Sequence, residues 1–272
     1  MPRLAIVIVN FNAREHLENC LASLAAAPPL TTHEIVVVDN ASTDGSASSV
    51  RSRWPAVTIF EQPENRGFAS ANNAGIRATA GELVLLLNND TIVPPGALDR
   101  LVARLDANRA VAVAGPRLVD GDGNPELSFG PMISPAGELR QKTVVALYAR
   151  DIGPAVRWVR HATSSEHEVD WVSGACLLVR RSAAEAAGLL DERYFLYTED
   201  VDFCAAIRAE GHRVLFTPAA EVVHLRGRSR ATAPAASAAA YRKSHLAFYE
   251  KHHPGWVPAL RLYLRLKGQL PR

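Results

Sequence analysis

The chain has 272 residues, 48% of them hydrophobic and 21% charged, values that exclude a largely disordered polypeptide and fit a globular protein with a sizeable core. Its net charge is only +2, but residues 221–272 carry ten Lys and Arg residues against two glutamates, or +8, which leaves −6 for residues 1–220. The sequence has no apolar run of roughly 20 residues, no signal-peptide profile and no Cys-x-x-Cys pair, so we expect a cytoplasmic protein without a membrane span, disulfide framework or zinc site.

Short apolar segments alternate with helical patterns in the first third of the chain. This alternation predicts an α/β fold with a mostly parallel, Rossmann-like central sheet and helices on both faces. Ligands of such sheets bind beyond the carboxyl ends of the strands. The predicted strands are Leu4–Val9, Glu34–Val38, Val57–Phe60 and Leu83–Leu87, and the predicted helices are Arg14–Ala26 and Phe68–Ala78.

The rest of the chain is less regular. We expect one main domain at residues 1–225, with halves at 1–90 and 91–225, followed by a mobile basic loop at 226–240 and a basic helical segment at 241–272. Within the second half the pattern predicts a long loop at 120–137, strands at Trp171–Arg180 and Val214–Thr217, and a helix at Asp200–Glu210.

Polar side chains follow three of the predicted strands, and each cluster has a structural and a functional interpretation. Asp39 could accept a hydrogen bond from a nucleotide base or ribose, or simply cap the following turn. The oxygen-rich tripeptide Asn88-Asn89-Asp90 suits a hard divalent cation such as Mg²⁺ or Mn²⁺, or forms a turn. Asn10 and Asn12 follow the first strand.

Three further clusters could carry chemistry. Arg66, beside Gly67, could face a phosphate, although the same residues could form an ordinary helix start. The acids Glu199, Asp200 and Asp202 lie at a helix start, where the helix dipole alone favours them, but where one could also act as a general base. His224 follows an apolar strand and is either structural or a metal ligand.

Taken together, these clusters resemble the motifs of a known family. The chain resembles family 2 glycosyltransferases of the GT-A fold, in particular the bacterial rhamnosyltransferase-like branch. The matching segments, in order, are IVIVNFN (6–12), IVVVDNASTDGS (35–46), ENRGFASANNAG (64–75), LLLNNDT (85–91), WVSGACLLVRR (171–181), FLYTEDVDFCAAIRAEGHRV (195–214) and VVHLRGRS (222–229).

The resemblance implies a role for each matching residue. Asp200 would be the catalytic base, supported by Glu199 and Asp202, and Asp90 and His224 would hold a divalent metal. Asn88 departs from the family, since many relatives have Asp there. The residues that would bind the nucleotide sugar are Asn10, Asn12, Asp39, Arg66, Asn72, Asn89, Trp171, Gly174 and Ala175.

The resemblance also implies the reaction. It predicts an inverting, Mg²⁺- or Mn²⁺-dependent hexosyltransferase of cell-surface polysaccharide synthesis. Residues 1–90 would bind the donor and residues 91–225 the acceptor. The donor would be dTDP-rhamnose, with UDP- and GDP-sugars left open, and the acceptor a glycan or a polyprenyl-diphosphate-linked sugar. The basic and aromatic segment 241–272 predicts either peripheral contact with the inner face of the membrane or packing on the body or in a homodimer.

Two other classes of protein fit the sequence less well. A nucleotidyltransferase would have a Gly-rich basic loop after its first strand, where this chain has Asn10-Phe11-Asn12-Ala13. A non-catalytic nucleotide-sugar-binding module would not need Asp90, Asp200 and His224 together. Nucleic-acid binding is not expected, because the basic tail contains no recognisable module.

Overall fold

A computed structural model describes residues 1–225 and 234–271. The strands are β1 (Leu4–Asn10), β2 (His33–Asp39), β3 (Thr58–Glu61), β4 (Leu83–Asn88), β5 (Thr91–Ile92), β6 (Val111–Val119), β7 (Phe129–Gly130), β8 (His167–Val169), β9 (Trp171–Val172), β10 (Cys176–Arg180) and β11 (Arg213–His224).

The helices surround these strands and dominate the carboxyl-terminal part of the described chain. They are α1 (Arg14–Ala26), α2 (Ser46–Arg53), α3 (Phe68–Arg77), α4 (Ala97–Asp106), α5 (Pro135–Tyr148), α6 (Gly153–Ala162), α7 (Arg181–Ala186), α8 (Glu199–Ala209), α9 (Pro234–His252) and α10 (Val257–Leu266), with a 3₁₀ turn at Pro254–Trp256.

Nine of the strands form one sheet of order β3-β2-β1-β4-β10-β6-β11-β5, with β8 also paired to β11. The sheet is mostly parallel, as predicted, because only β10, β5 and β8 run against their neighbours. Since β10 is antiparallel to β4, with Cys176 opposite Leu87, the loop before β10 lies beside the carboxyl end of β4. This pairing brings a loop of the second half to the predicted ligand edge.

Both faces of the sheet are buried, which explains why its central strands are apolar throughout. Leu4, Ile6 and Ile8 of β1 belong to a core cluster that includes residues of α1 and α4. Val7 and Val9 belong to the opposite cluster, with residues of α3 and α8. Alternate strand residues thus anchor opposite layers, and this fixes the strand ends from which the site residues project.

Several predicted boundaries were wrong. The strand predicted at Trp171–Arg180 is two strands, β9 paired with β7 and β10 in the main sheet, separated by the loop at 173–175. The predicted loop at 120–137 contains β7 and the start of α5. The short strand predicted at Val214–Thr217 is instead twelve residues long, since a register shift between Thr217 and Glu221 lets β11 continue along β6.

The predicted loop at 226–240 differs from the structure in its second part. Helix α9 begins at Pro234, so residues 234–240 are helical. An alanine-rich run has high helix propensity, and proline is favoured in a first helical turn. Residues 226–233 lie outside the described residues, and the predicted mobility of this segment stays a prediction, as do the domain boundaries.

Candidate active site

The carboxyl ends of β1, β2 and β4 carry asparagine and aspartate side chains that hydrogen-bond to one another. The fully buried Asn10 donates from Nδ2 to Asp39 Oδ1 at 3.2 Å and accepts at Oδ1 from Asn89 Nδ2 at 2.8 Å. The backbone N–H of Ser42 donates to Asp39 Oδ2 at 2.9 Å, so Asp39 also holds the turn that follows β2. Three predicted donor-binding residues therefore form one preorganised polar edge, which we call the donor edge.

Asn12 and Arg66 flank the donor edge on exposed loops. Asn12 adopts a left-handed conformation, φ 49°, and its Oδ1 accepts from the backbone N–H of Thr43 at 2.8 Å. The backbone N–H of Arg66 donates to Asn40 Oδ1 at 3.1 Å, while the Arg66 side chain is exposed. Because only the backbone of Arg66 makes this structural hydrogen bond, its guanidinium can bind an anionic ligand without breaking that bond.

Gly67 makes the close approach between the donor edge and the loop that precedes α8. The backbone N–H of Phe68 donates to the carbonyl oxygen of Phe195 at 2.7 Å. A Cβ atom on residue 67 would lie 2.4 Å from that same oxygen, and the φ of Gly67 is +85°. Glycine is required here for both reasons, and the contact holds the acidic α8 start beside the donor edge.

Asp90 and His224 meet at the junction of β4, β5 and β11. His224 is opposite Thr91 in the sheet, and the backbone N–H of Leu225 donates to the carbonyl oxygen of Asp90 at 2.8 Å. His224 Nε2 lies 3.4 Å from Asp90 Oδ1. Burial acts to raise the pKa of Asp90, but the hydrogen bond and charge of His224 outweigh burial and lower that pKa. The two predicted metal ligands are therefore neighbours, although they lie far apart in sequence.

Glu126 completes this cluster and was not predicted. Its Oε2 lies 3.1 Å from His224 Nδ1, and its side chain is buried. Burial lowers the pKa of His224, but its hydrogen bonds to Asp90 and Glu126 dominate and raise that pKa to about 9. Two carboxylates around one imidazole concentrate negative charge, which favours a cation at this position. The carboxylate on Nδ1 also directs Nε2 towards Asp90, as in many metal-binding histidines.

Asp90 and His224 suit a divalent cation that takes its remaining ligands from a bound substrate. Asp90 Oδ1 is buried, and within residues 1–225 and 234–271 it has no well-aligned hydrogen bond, only the approach of His224 Nε2 at 3.4 Å. The same residues contain no group of three or more His, Cys, Asp or Glu side chains arranged to hold a metal. Mg²⁺ is typically held by one or two carboxylates together with substrate phosphates and water. Asp90 and His224 therefore suit a cation whose other ligands come from a bound diphosphate.

Asp200 occupies the first turn of α8 and faces the loop before β10. The backbone N–H of Gly174 donates to Asp200 Oδ2 at 2.9 Å, and the backbone N–H of Val201 donates to Oδ1 at 2.9 Å. The backbone N–H of Asn88 donates to the carbonyl oxygen of Ala175 at 2.9 Å, which ties this loop to the end of β4. The loop at 173–175 therefore links the carboxylate of Asp200 to the sheet edge that carries Asp90.

The neighbouring carboxyl groups of Glu199 and Asp200 have different surroundings. Glu199 is buried, its Oε2 has no hydrogen-bond partner among the described residues, and burial together with the charge of Asp200 raises its pKa well above the ordinary value. Burial also raises the pKa of Asp200, but the N–H groups of Gly174 and Val201 oppose that rise. Burial and the neighbouring carboxylate therefore both raise the pKa of Glu199, whereas two backbone N–H groups stabilise the charged form of Asp200.

Asp202 is not brought to Asp200. Its buried carboxylate accepts hydrogen bonds from Tyr194 Oη at 3.1 Å, Lys251 Nζ at 2.8 Å and His252 Nε2 at 2.6 Å. These partners anchor α9 to α8. Residues two apart on a helix point in different directions, so the assignment of Asp202 as a support for the base is replaced by a structural one.

Two of the predicted donor-binding residues also have their polar atoms engaged in structure. The buried Asn72 donates from Nδ2 to the carbonyl oxygen of Phe68 at 2.9 Å, within its own helix. Trp171 donates from Nε1 to the carbonyl oxygen of Pro131 at 2.9 Å and packs over Gly130. Both fix local packing, so a direct contact of either with a donor is not supported by this geometry.

Comparison with known proteins identifies the family of this chain. The family described as Glycosyl transferase family 2 matches residues 5–186. The N-acetylglucosaminyl-diphospho-decaprenol L-rhamnosyltransferase of Mycobacterium tuberculosis is 33% identical over 275 residues, covering 96% of this chain and 89% of that protein. A low-salt glycan biosynthesis hexosyltransferase of Haloferax volcanii is 27% identical, covering 81% of this chain and 66% of that protein.

Two solved structures share the fold. A mannosyltransferase of Pyrobaculum calidifontis in complex with GDP-Man and Mn²⁺ has a TM-score of 0.63 and 23% identity, covering 95% of this chain and 68% of that one. GalNAc-T7 with UDP, GalNAc and Mn²⁺ has a TM-score of 0.62 and 18% identity, covering 83% of this chain and 43% of that one. Both support the predicted GT-A architecture.

Proposed function

Because this chain belongs to glycosyl transferase family 2, we propose that it is a metal-dependent, inverting enzyme that transfers L-rhamnose from dTDP-rhamnose to a lipid-linked glycan in cell-surface polysaccharide synthesis. The observation that carries the catalytic part is the Asp200 carboxylate, which accepts hydrogen bonds from the backbone N–H groups of Gly174 and Val201. One carboxylate is thereby fixed next to the sheet edge where a donor would bind. The rhamnosyl donor and the lipid-linked acceptor follow from the name of the mycobacterial relative.

The proposed reaction needs one base and one displacement. The acceptor hydroxyl oxygen attacks the anomeric carbon while the bond from that carbon to the diphosphate oxygen breaks. The hydroxyl proton passes to Asp200, and the bonding electrons leave with the nucleoside diphosphate. Attack opposite the leaving group inverts the anomeric configuration. A divalent cation held by Asp90 and His224 would supply positive charge beside the leaving diphosphate.

The donor edge supports nucleotide binding. Asp39 and Asn10 hold each other in place at the ends of β1 and β2, so a base or ribose would meet acceptors that need little rearrangement. UDP- and GDP-sugars remain alternative donors. A non-catalytic sugar-nucleotide module is a second candidate, but it gives no reason for placing the adjacent carboxyl groups of Glu199 and Asp200, both with raised pKa values, at the site.

The test is a thermal-shift screen of the purified protein against dTDP-rhamnose, UDP-sugars and GDP-mannose, each with Mn²⁺, Mg²⁺ or EDTA. A ligand at about 100 times its Kd raises the melting temperature of a domain this size by about 5 °C. We expect the largest metal-dependent rise with dTDP-rhamnose, kept in Asp200→Asn and reduced in Asp90→Asn. A flat response of folded protein to every nucleotide would refute the proposal.

Peripheral membrane contact through residues 241–272 is part of the same proposal. No helix in the described ranges is long and apolar enough to span a bilayer. On and beside α10, however, Trp256, Leu262 and Leu266 are exposed close to Arg261 and Arg265. Exposed aromatic and aliphatic residues mixed with cations are typical of helices that lie on anionic membranes. Co-sedimentation with anionic but not neutral vesicles is expected, and its absence would remove membrane contact without touching the transfer reaction.

A further inference from the structure

A cavity of about 400 Å³ lies between α5, α9 and α10, outside the donor edge and the Asp90–His224 pair. Its lining combines two cations, Lys142 and Arg242, with Leu260 and Leu264. Such a mixture suits a ligand that has an anionic group joined to an apolar one.

The two cations are not equivalent. Lys142 is close to Glu138, and this carboxylate largely balances the positive charge of Lys142. Glu138 also accepts hydrogen bonds from His245 and Tyr249. Arg242 is half-buried, and the described part of the chain places no carboxylate within ion-pair distance of it. A partly desolvated guanidinium without a counter-charge favours an anion, and its planar donors match phosphate oxygens.

The cavity shares a wall with the loop that carries the proposed base. Tyr197 lines the cavity and precedes Asp200 by three residues. Tyr197 and Thr198 are consecutive non-glycine residues with positive φ, 70° and 65°, and Ser244 of α9 donates to the carbonyl oxygen of Leu196 at 2.8 Å. The loop is therefore held in a strained conformation next to the cavity, and a ligand in the cavity would contact the same loop as the reacting sugar.

Beyond the cavity, α10 presents an apolar surface. Tyr263 lines the cavity and is 56% exposed, and Leu262 and Leu266 beside it are 57% and 79% exposed. An apolar chain that left the cavity along α10 would cover these side chains.

We propose that this cavity binds the diphosphate of the lipid-linked acceptor, with Arg242 contacting the phosphates and the lipid lying along α10. The proposal rests on the transfer function proposed above and adds to it the place where the acceptor is held. It explains why an otherwise exposed helix sits beside the base-bearing loop: the diphosphate is anchored at the cavity and the sugar extends towards Asp200.

The test measures binding of farnesyl diphosphate to the full-length protein by calorimetry, with dTDP and Mn²⁺ present to fill the donor site. Arg242→Ala should weaken binding by about tenfold or more, since a hydrogen bond to a charged group is lost. Arg242→Lys should recover part of it. Lys243→Ala is the matched control, because Lys243 is the exposed neighbour on the same helix and does not line the cavity. Farnesol should bind much more weakly than farnesyl diphosphate.

Three results would overturn this assignment. They are equal Kd values for Arg242→Ala and Lys243→Ala, equal binding of farnesol and farnesyl diphosphate, and binding of farnesyl diphosphate that is seen only when dTDP is left out. The melting-temperature rise with dTDP-rhamnose is measured on the same variants. If that rise persists while farnesyl diphosphate fails to bind, the acceptor site is wrong and the transferase function stands.

Discussion

The donor edge and the surroundings of Asp200 are stabilised in different ways. At the donor edge, Asn10, Asp39 and Asn89 hydrogen-bond directly to one another at the ends of adjacent strands. Asp200 is instead held by the backbone N–H groups of Gly174 and Val201, and its helix α8 is held by α9, whose Lys251 Nζ lies 2.8 Å from the Asp202 carboxylate.

The two regions therefore depend on different parts of the fold. The donor edge follows from parallel strands whose ends must coincide, so it is preorganised by the sheet alone. The surroundings of Asp200 depend on carboxylates that attach α9 to α8 and α5, through the buried Asp202 and the partly buried Glu138. Perturbing the first region should change ligand binding, whereas perturbing the second should change stability and the position of the base.

The largest effect is expected for Asp200→Asn. A positioned general base contributes about 10²- to 10⁴-fold to the rate, so kcat should fall by that factor while the dTDP-rhamnose-induced thermal shift persists. Single-turnover transfer assays would measure the chemical step. A variant with unchanged kcat would show that the base is another group.

Asp202→Asn tests whether Asp202, two residues after the proposed base, has a structural rather than a catalytic role. Removing the charge of this buried carboxylate costs about 3 kcal/mol of unfolding free energy, because Lys251 keeps only its other carboxylate partner, Asp191. The hydrogen bonds that Tyr194 and His252 make to Asp202 also weaken. Urea unfolding measures this cost. Glu250→Gln, which breaks an exposed pair with Arg261, is the control and should change stability by less than about 1 kcal/mol. A stable Asp202→Asn with greatly reduced kcat would instead restore a catalytic role.

Gly67→Ala tests the contact between the two regions. The added Cβ meets the Phe195 carbonyl oxygen and the backbone has positive φ, so we expect a loss of about 2–3 kcal/mol and weaker nucleotide binding. Gly211→Ala is a matched control, because Gly211 has a similar φ of +86° and an added Cβ there would have no other atom within 4 Å. Equal melting temperatures for the two variants would mean that only the backbone conformation matters.

Glu138→Gln should give a smaller, pH-dependent loss. Burial acts to raise the pKa of Glu138, but His245 and Lys142 outweigh it and lower the pKa from 4.5 to about 2. A lowered folded-state pKa means that this stability is present above about pH 4.5 and disappears as pH falls towards 2. The variant should therefore be about 2 kcal/mol less stable at pH 7, and the difference should shrink below pH 4.5. Melting curves at pH 7, 5 and 3 check this, and a pH-independent difference contradicts it.

Glu126→Gln should weaken metal binding by about tenfold, because a neutral amide orients His224 less strongly than a carboxylate. Titration of Mn²⁺ in the presence of dTDP, followed by electron paramagnetic resonance, measures this directly. Glu221→Gln, on the same strand as His224 but exposed, should leave the affinity unchanged. If both variants bind Mn²⁺ like the wild type, Glu126 has no part in the site.

The donor edge could be predicted from sequence because its residues follow apolar strands in contiguous motifs. Asp39 and Asp90 were placed correctly at strand ends, and the family resemblance added His224. Nothing local indicates Glu126, which lies 98 residues from His224 on the loop after β6. Helical spacing alone could have warned that Asp202 points away from Asp200.

The second half was harder to predict for physical reasons. The apolar run before Arg180 looks like one strand. It nevertheless contains a loop, in which the backbone N–H of Gly174 donates a hydrogen bond to Asp200. A short apolar run carries no signal for such a break, since only tertiary pairing decides which sheet each piece joins. The cavity between α5, α9 and α10 likewise depends on how these three helices pack.

The most direct test is product analysis from dTDP-rhamnose, Mn²⁺ and a short-chain lipid diphosphate carrying N-acetylglucosamine. We expect a rhamnosylated product whose anomeric configuration, read from the C1–H1 coupling by NMR, is opposite to that of the donor. Asp200→Asn should form this product far more slowly. A product with retained configuration, or equal product from Asp200→Asn, would contradict the single displacement with Asp200 as its base.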